Sequence, residues 1–123
     1  MSYIDGFILP LREDQLDEYR RMAEMFARKA TALGALGSAE SIGDGLEHGH
    51  TTDFYRAVQA QEGENVVFSF VIWPSKEVRD TAWQKIMADP EMQPGAQPMP
   101  FDGKRMFWGG FKPFVSTLEK VDA

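Results

Sequence analysis

Val66-Val67-Phe68-Ser69-Phe70-Val71-Ile72-Trp73 is the stretch that decides the fold. A strand sends alternate side chains to opposite faces. Val66, Phe68, Phe70 and Ile72 then share one face, and Val67, Ser69, Val71 and Trp73 share the other. Both faces are apolar, so this strand expects cover on both sides. The flanking sequence offers too few helices to supply both covers, which bears directly on assembly.

Upstream, Tyr3 to Leu9 is short, β-rich and closed by Pro10, and predicts a first strand in which Gly6 marks a close approach. From about Glu13 to Leu33 the period changes. Leu16, Tyr19, Ala23, Phe26, Ala30 and Leu33 recur at three- and four-residue steps, one stripe of an amphipathic helix. Asp14, Asp17 and Glu18 favour its start, and Gly34 its stop. Leu36 to Gly43 predicts a second strand. A long connection runs from there to about Asn65, with one helical turn near Phe54 to Val58.

Downstream, Ser75 is placed to cap a second helix whose stripe is Val78, Ala82 and Ile86, flanked by Trp83 and ended by Pro90. Glu91 to Arg105 is irregular and carries Pro94, Pro98 and Pro100. Met106 to Val115 predicts the last strand, and Ser116 to Ala123 a frayed polar tail. The order strand, helix, strand, strand, helix, strand is the split βαβ arrangement of ferredoxin-like folds. The expected fold class is α+β: a ferredoxin-like βαββαβ domain over residues 1–123, with a four-stranded antiparallel sheet and two helices on one face.

Composition narrows the functional classes. The chain has 123 residues, a net charge of −6 and no cysteine. An acidic surface repels phosphate backbones, so no nucleic-acid partner is expected. No apolar run is long enough to span a bilayer, and no basic segment leads into an apolar one at the N-terminus. The absence of cysteine excludes disulfides, thiolate metal sites and cysteine nucleophiles. The expectation is a bacterial, cytoplasmic protein with no cofactor and no membrane partner.

Several motifs taken together resemble a known family. They are Ser2-Tyr3-Ile4-Asp5-Gly6-Phe7, Thr52-Asp53-Phe54 with Arg56-Ala57-Val58, the Val66-Val67-Phe68-Ser69 run, and Pro74-Ser75-Lys76. Met87-Ala88-Asp89-Pro90 and Met99-Pro100-Phe101-Asp102-Gly103-Lys104-Arg105-Met106 with Gly109-Gly110-Phe111 complete the set. Over nearly the whole chain they resemble the bacterial family called domain of unknown function 1428. The resemblance implies the dimeric α+β barrel superfamily, whose ferredoxin-like protomers pair sheet to sheet. No activity is established for the family. Superfamily relatives include cofactor-free monooxygenases, lactone isomerases, haem-binding enzymes and ligand-sensing modules, and fold alone chooses none of them.

A homodimer also follows from the residues. Two helices cover one face of a four-stranded sheet, and the other face would leave bare more apolar area than a monomer usually exposes. A two-fold pair is the commonest remedy, with a long loop folded over the sheet as the other.

Few residues carry candidate chemistry. Asp5 shares a strand face with Tyr3, Phe7 and Leu9. It is either a general base with a raised pKa or the acceptor of a structural hydrogen bond from a loop amide or an arginine. Glu40, on the second strand, reaches the same interior if its face turns inward. Trp73, Trp108 and Arg105 are the candidate ligand contacts, the tryptophans as cavity walls alongside Trp83 and the many Phe and Met residues unless these are core or interface, and Arg105 as a partner for an anionic substrate. Arg105 also fits a plain turn after Asp102-Gly103. His48 and His50 with Glu47 and Asp53 are the only metal-like set. Their spacing matches no helical metal motif, the family pattern requires histidine at neither position, and no metal is expected. Three functions stay open: a homodimeric protein binding a small apolar or aromatic ligand, a cofactor-free monooxygenase or isomerase, and a structural or interaction dimer. A pocket with a buried carboxylate favours the enzyme, a pocket without one favours binding, and no pocket favours the third.

Overall fold

In a computed structural model the chain is described over residues 2–118. Four antiparallel strands form one sheet: β1 (Tyr3–Arg12), β2 (Gly37–Ile42), β3 (Glu64–Trp73) and β4 (Phe107–Phe111), in the order β2-β3-β1-β4. The helices are α1 (Leu16–Ala32), the single turn α2 (Phe54–Ala57) and α3 (Lys76–Ala88). The fold is therefore α+β, and the eight-residue run Val66–Trp73 lies in a central strand, paired on both sides.

Helix ends follow local chemistry. Ser75 caps α3, its Oγ accepting from the Val78 N–H at 3.1 Å, and Asp53 caps α2 through the Arg56 N–H at 2.8 Å. Gly34, at φ +114°, ends the first helix, and the Ala35 N–H donates back to the Ala30 carbonyl at 3.0 Å.

The two sheet faces differ. Odd-numbered residues of β1 and β3 face α1 and α3. Leu9, Leu11 and Val67 pack with Tyr19 and Ala23, and Val71 and Trp73 pack with Ala30 and Ala82. The opposite face carries Ile4, Ile8, Phe68, Phe70, Ile72, Phe107 and Phe111, by the strand register. Segment 43–63 reaches only part of it: α2 contacts β3, and Pro10 and Val66 at that end are buried. Phe68 remains 45% exposed and Phe111 62%.

Two boundaries differ from the sequence expectation. Pro10 does not close β1, which continues to Arg12 with Pro10 opposite Val66. β4 pairs only with Ile4 to Ile8, so at Pro10 one side of the strand has no neighbour and the missing N–H costs no ladder bond. The last strand stops at Phe111 and not at Val115. Beyond the Ile4–Phe111 pair only Tyr3 of β1 remains to pair with, and Pro113 follows. Of the expected frayed tail, residues 119–123 lie outside the described residues, and Ser116 to Leu118 carry no strand or helix.

Candidate functional site

The register sets one row of side chains across the helix-facing surface of the sheet: Glu40 beside Ser69, Ser69 beside Phe7, Phe7 beside Trp108. Above the first three lies a cavity of about 590 Å³. Its floor is Glu40, Ser69, Phe7 and Leu9, its roof comes from α1 and α3, and its side is the proline-rich segment 91–101 with Met106. Phe7, Phe26 and Trp83 form one aromatic wall, with ring centroids 5.6–6.4 Å apart. Tyr19 meets Phe101 edge-on at 5.8 Å across the opposite side. Met22, Met25, Met87, Met92, Met99 and Met106, all six methionines among the described residues, line the cavity.

The polar end is Glu40. Tyr19 Oη donates to Glu40 Oε1 at 2.6 Å, and the Ser69 hydroxyl also bonds this carboxylate. Glu40 borders both the cavity and an adjoining groove between α1 and β2, and on edge strand β2 it is an exposed residue. The surrounding protein partly desolvates the Glu40 carboxyl and raises it from its ordinary value, and the bonds from Tyr19 and Ser69 partly oppose that rise. Burial, then the Glu40 charge, pushes the Tyr19 phenol up.

A stability prediction follows. With its folded pKa raised, Glu40 stabilises the fold fully below its unfolded value near 4.5, and loses that contribution as pH rises through the folded value. Glu40→Gln keeps an acceptor for Tyr19 without the charge. Its Tm relative to wild type is expected to move in the variant's favour between about pH 4 and pH 8. A Tm difference that stays flat over that span contradicts the assignment.

Asp5 is an anchor. It is 1% exposed and accepts from three residues. Arg79 grips both oxygens, with Nη2 to Oδ1 at 2.7 Å and Nε to Oδ2 at 3.0 Å. The indoles of Trp73 and Trp83 donate to Oδ2 at 2.9 and 2.8 Å. Of the two roles open to Asp5, this geometry is that of the structural acceptor from an arginine. Arg79 and Trp83 sit four residues apart on α3 and so point the same way. Together they tie α3 to the sheet and fix the indole that walls the cavity. The bonds to Asp5 come first among the causes that raise the Arg79 guanidinium pKa. Arg79 also lies over the Tyr3 ring at 5.1 Å, and that ring occupies the space a side chain at Gly110 would need.

The other candidates fall elsewhere. Trp73 is fully buried, bonded to Asp5, and lines neither the cavity nor the adjoining groove. Trp108 is 60% exposed, its ring 6.5 Å from Phe7, just beyond the cavity lining. Arg105 is engaged by Glu64, at 2.7 and 2.8 Å, and by Asp102 at 3.0 Å, and lines neither space. His48 stacks on Tyr55 at 4.6 Å with Nδ1 3.7 Å from Asp53, while the His50 carbonyl accepts from Arg56. Among the described residues no group of three His, Cys, Asp or Glu is placed to hold a metal, and no helix is long and apolar enough to cross a membrane. Trp83 and the methionines take the cavity-wall place that the sequence allowed them, whereas sequence reasoning missed Tyr19, read there only as part of the α1 stripe.

Comparison with known proteins gives a consistent result. The family model described as "Protein of unknown function (DUF1428)" matches residues 2–103, ending before β4. The chain is 47% identical over 115 residues to the uncharacterized protein YbaA of Escherichia coli strain K12, covering 94% of this chain and 98% of that protein. The YbaA proteins of Escherichia coli O157:H7 and Shigella flexneri match with the same identity and coverage.

Proposed function

This chain belongs to the DUF1428 family, and from that premise we propose that it is a homodimer binding one small, mainly apolar molecule per protomer in the cavity between sheet and helices. The cavity itself carries the proposal: about 590 Å³, walled by methionine and aromatic side chains, with one carboxylate and two hydroxyls at one end. Small-molecule sites span roughly 300–1,000 Å³ and combine apolar walls with a few placed polar groups. Thioether side chains repack around ligands of varied shape.

The homodimer is supported by the part of the sheet face that neither α1, α3 nor segment 43–63 covers, where Phe68, Phe107 and Phe111 are exposed together. The protomer is taken as ferredoxin-like. Antiparallel strands in the order β2-β3-β1-β4, with α1 and α3 as crossovers on one face, support that assignment. Two such protomers closing their open faces would make a dimeric α+β barrel. An acidic chain without cysteine fits a reducing cytoplasm.

Glu40 favours a second possibility, a cofactor-free enzyme acting on the bound molecule. A carboxyl raised by partial desolvation beside a phenol on a cavity floor has the make-up of a general acid or base. Asp5, saturated by its donors, is assigned no proton-transfer role.

Calorimetric titration with 4-phenylbutanol tests the cavity. Wild type is expected to bind it saturably, one per protomer. Met22→Trp, which adds bulk to the wall, is expected to weaken binding at least about tenfold, or 1.4 kcal/mol, with little change in Tm. Unchanged affinity in a folded variant would place the site elsewhere.

A further inference from the structure

We infer that the molecule taken up by this cavity is an apolar amine, held by its ammonium group at Glu40. The inference rests on the cavity being the binding site and adds the charge of the occupant. Two carboxyl side chains lie in the lining, Glu40 and Glu91, and no Lys, Arg or His lines it. Glu91 is already paired with Lys29 at 2.7 Å, a lysine that also holds Asp89 at 2.6 Å. Among the described residues no cation forms an ion pair with Glu40. The nearest basic group in the adjoining groove, Arg20, is engaged by Asp17 at 3.2 Å. The remaining polar groups, such as Ser69, Gln93 and Gln97, are neutral.

An anionic ligand would therefore enter an apolar space with a fixed negative charge and no counter-charge, which is costly. An ammonium group meets the reverse situation. Tyr19 and Ser69 occupy part of the acceptor capacity of Glu40, but an ionised carboxylate offers about four lone-pair sites. A three-donor ammonium fits what remains. The aromatic wall of Phe7, Phe26 and Trp83 suits an aryl or alkyl body and offers π-faces to a cation.

Three probes of one shape and different charge give the test: 4-phenylbutylamine, 4-phenylbutanol and 4-phenylbutanoate, titrated calorimetrically into the full chain at neutral pH. The amine is expected to bind at least about tenfold tighter than the alcohol, and the carboxylate weakest of the three. In Glu40→Gln, confirmed as folded by circular dichroism, amine and alcohol are expected to converge within about threefold. If the alcohol binds and the amine gains nothing, or the amine preference survives Glu40→Gln, the inference is overturned and the cavity stands. If none of the three binds, the cavity fails as a binding site and the inference fails with it.

Discussion

Asp5→Ala is expected to be the most damaging single substitution in the helix-facing half of the molecule. It removes the acceptor of an arginine and two indoles at once, and leaves Arg79, 17% exposed, without its main partner. Breaking a buried ion pair by removing one member costs roughly 3–5 kcal/mol, because the remaining charge is uncompensated. For a domain of this size that corresponds to a fall of roughly 10–20 °C in Tm. The consequence reaches further than stability, since α3 contributes only Ala82 and Ile86 as buried residues. Its hold on the sheet depends on Arg79 and Trp83 reaching Asp5, and Trp83 is a cavity wall. The double variant Asp5→Ala with Arg79→Leu is expected to recover part of the lost Tm, because the stranded cation is gone. A fall of under about 3 °C in the single variant would show that α3 is held by other contacts.

Phe68→Lys is expected to split the proposed homodimer and leave the protomer folded. Phe68 is 45% exposed and lies mid-strand on the uncovered face, opposite Ile8 on one side and Ser41 on the other. In a lone protomer a lysine there keeps its ammonium in water at little cost. Between two sheets it would be buried without a partner, and two-fold symmetry places it in the interface twice. The dissociation constant is expected to rise at least about a hundredfold, or 2.8 kcal/mol. The circular dichroism spectrum should be unchanged. Loss of fold in the variant, with no separated protomer at any concentration, would count against a free-standing sheet face.

The sequence made some of this legible and hid the rest. The two apolar faces of Val66 to Trp73 announced a central strand because period-two patterning is local and apolar side chains dominate both faces, with Ser69 the one polar residue in the run. The stripe in α1 and the Ser75 cap were legible for the same reason. Pro10 misled because its cost depends on which side of the strand is paired, and that is set by the length of β4, far away in sequence. Asp5 was recognisable as an unusual carboxylate, and an arginine was foreseen as one possible partner. That both Arg79 and Trp83 would reach it depends on how α3 lies over β1. The cavity was the least legible feature. Met92 and Met99 come from an irregular segment whose path no periodicity encodes, and they meet Met22 and Met25 only once that segment is fastened, in part by Lys29 bonding Asp89 and Glu91. Arg105 read as a ligand contact because its ion pair with Glu64 spans 41 positions and leaves no local trace.

Sedimentation equilibrium of the unmodified protein at micromolar concentration bears most directly on the proposed homodimer, which the exposed Phe68, Phe107 and Phe111 support. A single species of twice 13.9 kDa is the expected result. A 13.9 kDa particle at every concentration, with those three rings open to solvent, would contradict it.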